Sequence, residues 1–439
     1  MSTATDDQTA ERASAGTSPA QRLTAVRERL WPLLERIAEG TVQRERGHVL
    51  PREQVRELLA AGFGRLRVPV EEGGEGLDVR GLAEVLVDVA AADPNLPQVF
   101  RGHLAWVEHL LSLPAGEYRT RWIGRVVAGE LVGNAWSETG DATTGKQQTV
   151  VTRREGRWVV DGRKYYTTGT IFADWTDATA RRVDADGAGD GVEEVVTVLV
   201  RTDQPGVRVS DDWDGFGQQL TGTGTLVLTG AVVEDEDVAP FTDRFRYQTA
   251  LYQLVLLAVL AGVAEAVERD TGAQVRSRTR SYTHGLAPLV RHDAQVLAVA
   301  GEVSATAFTA RALVRSAAEA VQAAADTAHE RGSAADRAAN VEAEVRTAQA
   351  QVVLSESVPR AATLLFNTLG ASATSRARAL DRHWRNARTV ASHNPVIYKQ
   401  RIVGDWSVNG TEPPFVWDVG THASVDAAAV RAAEGASRG

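Results

Sequence analysis

The spacing of apolar residues changes character twice along this chain, and that limits its architecture more than any single motif. From Gln21 to about Leu131 the period is helical: Leu23, Val26, Leu30, Leu33, Leu34, Ile37 and Ala38 recur three and four residues apart. Val55, Leu58, Leu59 and Phe63 extend the pattern, the Gly-rich stretch at 68–76 breaks it as a loop, and it resumes over 81–92 and 98–112. Between 132 and 245 the texture becomes that of strands. Segments 148–154, 157–161, 194–201, 207–210 and 225–229 are short, β-branched and separated by glycine or aspartate turns, and the acidic stretch 184–191 reads as a loop tip. From about Thr249 long helices follow, one face marked by Val296, Leu297, Ala300, Val303, Ala307 and Ala310, with alanine abundant throughout. This order predicts a mainly α protein with a β middle domain. The expected parts are a disordered tail at 1–20, an α-domain at 21–131, a β-domain at 132–245, a helix bundle at 246–404 and an irregular tail at 405–439.

Composition removes several function classes. A net charge of −9 argues against a general nucleic-acid binder, which needs a basic surface. With no cysteine there is no disulfide, no thiolate nucleophile and no Cys-based metal centre. The nine histidines are scattered without a His-Glu-x-x-His pair, and there is no Gly-x-Ser-x-Gly elbow, so a metal site and a hydrolase are both disfavoured. No leader-like apolar stretch opens the chain. The longest apolar run, 254–261, is far short of the roughly 18 residues of a membrane span, so a cytoplasmic protein is the simplest expectation.

The richest chemistry lies at 382–399, where three arginines, two histidines, a tryptophan and the Asn394-Pro395 stop fall within 18 residues. Cations, a titratable imidazole and a flat aromatic surface suit an anionic, planar cofactor beside which protons move. Two further stretches carry a resemblance. The first runs Gly133-Asn134-Ala135-Trp136-Ser137-Glu138-Thr139-Gly140-Asp141. The second runs Val160-Asp161-Gly162-Arg163-Lys164-Tyr165-Tyr166-Thr167-Thr168-Gly169-Thr170. With their helical flanks they resemble the acyl-CoA dehydrogenase superfamily over roughly residues 25–404, which implies an N-terminal α-domain, a β-barrel-like middle domain and a C-terminal four-helix bundle.

One departure redirects the expected reaction. Family dehydrogenases remove an α-proton with a glutamate near the arginine-rich helix, but here no carboxylate stands between Asp381 and Asp405, and the region reads Ser392-His393-Asn394-Pro395. The segment instead resembles the flavin-dependent monooxygenase branch, of the dibenzothiophene monooxygenase type. That resemblance implies a two-component enzyme that takes reduced FMN (FAD as second choice) from an NAD(P)H:flavin reductase. It reacts the flavin with O2 and transfers one oxygen from a C4a-(hydro)peroxyflavin to a hydrophobic, aromatic or sulfur-containing small molecule. It also implies a homotetramer. The competing readings are an FAD-dependent acyl-CoA dehydrogenase and a non-catalytic oligomeric scaffold.

The resemblance further implies site residues. His393, His103 and Thr170 are the expected catalytic groups, Thr170 by hydrogen-bonding an oxygen intermediate. Asn134, Ser137, Thr168, Trp213 and Asn394 are expected around the flavin. Arg280 and Arg376 are the best matches for a phosphate clamp, within two arginine islands at 276–291 and 376–388 that hold only one acid, Asp381. Trp106 and Trp136 are expected to wall the substrate pocket. Each has a plain alternative: threonines satisfy turns, lone histidines and tryptophans pack cores, and arginines cover solvated helix faces.

Overall fold

Ser18 and Gln21 form a reciprocal capping box, and the chain enters its first helix at once, at Pro19. The computed structural model describes residues 18–139, 147–183 and 194–415. The expectations for 1–17, for the loop tip at 184–191 and for most of the C-terminal tail therefore lie outside the described residues. The N-terminal third comprises α1 (Pro19–Gly47), α2 (Arg52–Ala60), α3 (Val79–Ala92), α4 (Leu96–Ser112) and α5 (Glu117–Ala128). The Leu/Val/Ile stripe of α1 is buried, whereas α3 and α4 are buried almost all round because they sit between α1, the β-domain and the bundle.

The middle third is one mixed sheet of β1 (Val132–Ala135), β2 (Val150–Arg154), β3 (Arg157–Lys164), β4 (Trp175–Val183), β5 (Glu194–Arg201), β6 (Val207–Val209), β7 (Leu226–Val233) and β8 (Val238–Pro240). The strand order is β6-β7-β3-β2-β4-β5-β8, with β1 parallel to β4. The sheet curls around one apolar core that joins Ala178 and Ala180 of β4 and Val196 and Val198 of β5 to Leu226 and Leu228 of β7. It is thus barrel-like without closing.

Three of these strands, β1, β4 and the three-residue β8, escape a reading of alternation. β1 is only four residues long, and β4 reads Trp-Thr-Asp-Ala-Thr-Ala-Arg-Arg-Val. β4 is central and buried from Trp175 to Ala180, and its inward polar group, Asp177, meets Arg244 from outside the sheet (Nη2–Oδ2 3.2 Å). A strand covered on both faces loses the polar/apolar period that marks exposed strands.

The last third is a bundle of α6 (Gln248–Ser277), α7 (Ala294–Asp326), α8 (Ala334–Asn367), α9 (Asp381–Ala391) and α10 (Val396–Asn409). α6 and α7 are each long and apolar enough to cross a membrane, but the apolar stretch of α6 is 89% buried and forms the core of the protein. That of α7 is only 17% buried and faces outward. α10 also corrects a sequence expectation. The chain does not turn irregular after Gly404. The helix runs on to Asn409 and ends at Gly410 (φ 70°), whose left-handed conformation is the usual helix stop.

Candidate active site

Two segments distant in sequence meet against α4, and a third, the α9–α10 junction, is held by α6 and α8. The first is the turn 166–170, reversed by Tyr166 (φ 60°) and Gly169 (φ 82°). A Cβ on Gly169 would lie 2.2 Å from the Val99 carbonyl oxygen, so α4 rests on bare backbone that only glycine provides. The second is the loop 217–224. Its Gln218 amide donates to Asn386 Oδ1 (2.6 Å) and its Leu220 amide to Asn95 Oδ1 (3.2 Å), fixing it to α9 and to the start of α4. Hydroxyls join the two segments: Thr168 shares a hydrogen bond with Thr223 (2.8 Å), and Thr223 with Thr221 (2.7 Å). Lys164, fully buried, holds the neighbouring segment by donating to Glu138 Oε1 (2.7 Å), and burial pushes this ammonium down to about 8.

The third segment is the junction itself, where Asn394 is held on two sides. Its Nδ2 donates to Gln253 Oε1 (2.8 Å), and Gln351 Nε2 donates to its carbonyl oxygen (2.7 Å). That orientation turns Asn394 Oδ1 toward His393 Nδ1 (3.4 Å), which selects the imidazole tautomer with the proton on Nδ1 and leaves Nε2 as an acceptor. His393 is exposed, in a neighbourhood dense in protein atoms. Desolvation there, and then the Arg101 guanidinium, lower its basicity below the ordinary histidine range. At neutral pH His393 is an uncharged imidazole.

The two arginine islands converge at one end of the bundle. Arg378 Nη1 donates to Gln274 (2.9 Å), and Gly370 lies against Tyr282 and Arg278. Arg280 and Arg376 are exposed there, and neither has a hydrogen bond or ion pair among the described residues. Arg382 and Arg385 are different: they pair with Asp270 (2.6 Å) and with Glu45 (2.9 Å), so they brace the fold. Asn134 is 8% exposed, and its side-chain amide has no hydrogen-bond partner among the described residues. An open amide, hydroxyls and unpaired guanidiniums are the kinds of group that an anionic, hydrogen-bonding cofactor requires.

Several expected site residues take other roles. His103 is fully buried, its Nε2 donating to the Gly64 carbonyl (2.8 Å) and its Nδ1 accepting from the Val132 amide (3.2 Å). Both nitrogens are spent on backbone, so it pins α4 to β1 and has no proton to exchange. Thr170 is equally enclosed, its hydroxyl engaged with the Asn134 carbonyl (3.3 Å) and Thr176 (3.2 Å), which makes it a packing group. Trp106 stacks edge-on against Trp122 (5.1 Å) in a closed aromatic core instead of lining a pocket. Asn394 lies beside His393, its side chain held by Gln253. Ser137 is exposed, and Trp213, half-buried, donates its indole N–H to the Gly217 carbonyl (3.0 Å) with its ring 6.0 Å from Tyr166. Trp136 is half-buried, edge-on to Tyr252 (5.5 Å) and to Phe241 (5.4 Å).

Burial lowers the imidazoles of both His103 and His383 to about 4, which gives a stability prediction. In the unfolded chain they titrate near 6.5, so between about 6.5 and about 4 the unfolded state binds more protons. Stability is therefore full above about pH 6.5 and falls as the pH drops through that window. Melting temperatures that stay level from about pH 7 to about pH 4.5 would contradict this.

Sequence comparison places this arrangement. Models of the acyl-CoA dehydrogenase N-terminal, middle and C-terminal domains match residues 25–130, 135–231 and 254–397. The chain belongs to the acyl-CoA dehydrogenase family. Within it, the chain is 25% identical over 392 residues to dibenzothiophene monooxygenase of Rhodococcus qingshengii, spanning 87% of this chain and 92% of that one. It is also 25% identical over 412 residues to the probable FMNH2-dependent monooxygenase SfnC of Pseudomonas putida, spanning 91% and 98%. Among solved structures, TdsC of Paenibacillus sp. A11-2 in complex with FMN and indole superposes with a TM-score of 0.80 at 26% identity, covering 89% of this chain and 98% of that one.

Proposed function

We propose that this chain is an FMNH2-dependent monooxygenase that transfers one oxygen atom of O2 to a small molecule with an apolar body. One observation carries the reading. Where the family's dehydrogenases place a carboxylate base, this chain presents a neutral imidazole, His393, oriented by Asn394 toward a cleft. A carboxylate there would abstract an α-proton; a weakly basic Nε2 accepts a hydrogen bond without removing the proton. The names of the relatives support the same class.

Arg280 and Arg376 would hold the phosphate of FMN, and Asn134 and Thr168 the polar edge of its ring. Bound reduced FMN supplies two electrons to dioxygen, so that one oxygen atom enters the substrate and the other leaves as water. The chain's own contribution is positional. His393 Nε2 keeps a proton on a neighbouring O–H group in the cleft, and Trp136 and Tyr252 give an apolar wall for the substrate. Reduced FMN is expected from a separate NAD(P)H-dependent reductase. The test is anaerobic loading with reduced FMN followed by ¹⁸O2 and aromatic thioethers, with products read by mass. One labelled oxygen per product molecule is expected. No label in any product, together with flavin reduction by an acyl-CoA, would instead identify a dehydrogenase.

We infer a homotetramer through the outward face of α7, where Leu297 and Phe308 are 50% and 78% exposed. Phe308→Asp is expected to reduce the native mass in light scattering with little change in melting temperature. An unchanged mass would exclude that face.

A further inference from the structure

Position 101 lies in the middle of α4, among Val99, Phe100, Leu104 and Ala105, where an arginine has no structural reason to be. Its side chain is 9% exposed, and no carboxylate among the described residues pairs with it. Its Nε is buried without a hydrogen-bond partner, as is the neighbouring Gln98 Oε1. The guanidinium lies over the Tyr252 ring (5.1 Å), and Tyr252 meets Trp136 edge-on (5.5 Å). The Arg244 guanidinium also lies over the Trp136 ring, at 5.2 Å. The Arg101 guanidinium also lowers the basicity of the exposed His393, so the two side chains share one neighbourhood.

Charge balance sharpens the point. Tyr252 feels Arg244, Asp177 and Arg101 together. Asp177 lies 3.2 Å from Arg244 and offsets that charge, while His109 and His393 are held neutral. Burial lowers the Arg101 guanidinium to about 10, so it is still protonated at neutral pH. One buried positive charge is left over. An unpaired buried charge costs far more than a paired one, and a cleft that retains it favours a ligand that brings the counter-charge.

We propose that the substrate of this enzyme carries a compact oxyanion, a sulfinate or carboxylate, which Arg101 binds while Trp136 and Tyr252 hold its apolar body. This rests on the monooxygenase reading for the word substrate, but the anion site is testable without turnover.

The experiment measures binding of benzenesulfinate, benzoate and the neutral methyl phenyl sulfoxide by calorimetry, to flavin-free and FMN-loaded enzyme. Wild type is expected to bind at least one anion roughly tenfold more tightly than the sulfoxide, and comparison of sulfinate with benzoate decides the head group. Arg101→Met should lose roughly 10- to 100-fold in anion affinity, with sulfoxide and FMN affinity unchanged, and Arg101→Lys should recover part of the loss. Equal weakening of anion and sulfoxide would make Arg101 a packing residue, and a parallel loss of FMN would assign its charge to the flavin; either overturns the proposal. So does a wild type that prefers the sulfoxide, a result that needs no variant to fold. A protein that binds the anion through Arg101 but places no oxygen from O2 in any product keeps the anion site and loses the oxygenase reading.

Discussion

His393→Ala is expected to bind reduced FMN as wild type does and to form product roughly 10²–10⁴-fold more slowly, the usual worth of a positioned acid–base group. Reduced flavin should still be consumed, with its electrons now appearing as hydrogen peroxide. The reason is local. His393 is the imidazole whose second nitrogen is left open to the cleft, because Asn394, clamped by Gln253 and Gln351, occupies the first. Removing it takes away a proton-holding acceptor but no part of the phosphate site. Its lowered basicity adds a pH signature: any step in the ratio of product to peroxide should fall below the ordinary histidine value near pH 6.5. His393→Glu restores a carboxylate near the dehydrogenase position, yet no acyl-CoA oxidation is expected from that change alone. Wild-type product yield in His393→Ala would make His393 a packing residue and remove the observation on which the proposed function stands.

Arg280→Ala and Arg376→Ala are each expected to weaken FMN binding roughly 10- to 100-fold, as loss of a hydrogen bond to a charged group does, and the double variant further. Both side chains project at the end of the bundle where the two basic segments meet, and neither has a partner in the described chain. Their removal therefore costs the protein no internal interaction. Affinities should also fall with added salt, because exposed charges are screened. Arg315→Ala is the control: Arg315 of α7 pairs with Glu84 of α3 (2.6 Å), and flavin affinity should not change. Equal affinities in all three variants would dismiss the clamp.

Sequence reasoning went furthest where a local pattern has one structural meaning. The helical stripe of α1, the hairpin strands β2 and β3 and the long alanine-rich helices follow from period and turn residues. The exchange of a carboxylate for Ser392-His393-Asn394 is likewise visible without coordinates, and so are the two arginine islands, because excess charge with no local acid needs no partner to be noticed.

What the tertiary structure decided was which polar residues are already spent. His103 and His393 look alike in sequence, each an imidazole in a candidate segment. Only the approach of Gly64 and Val132, 39 residues before it and 29 after, consumes both nitrogens of the first. The converse holds for Arg101. Its position among apolar residues of α4 is plain in the sequence, but whether it meets a carboxylate depends on what α6 and the α9–α10 junction bring to it. They bring Tyr252 and His393. Periodicity and motif are local properties that a sequence states directly. Satisfaction of a hydrogen bond or a charge is a property of distant segments brought together, and only the folded chain assigns it.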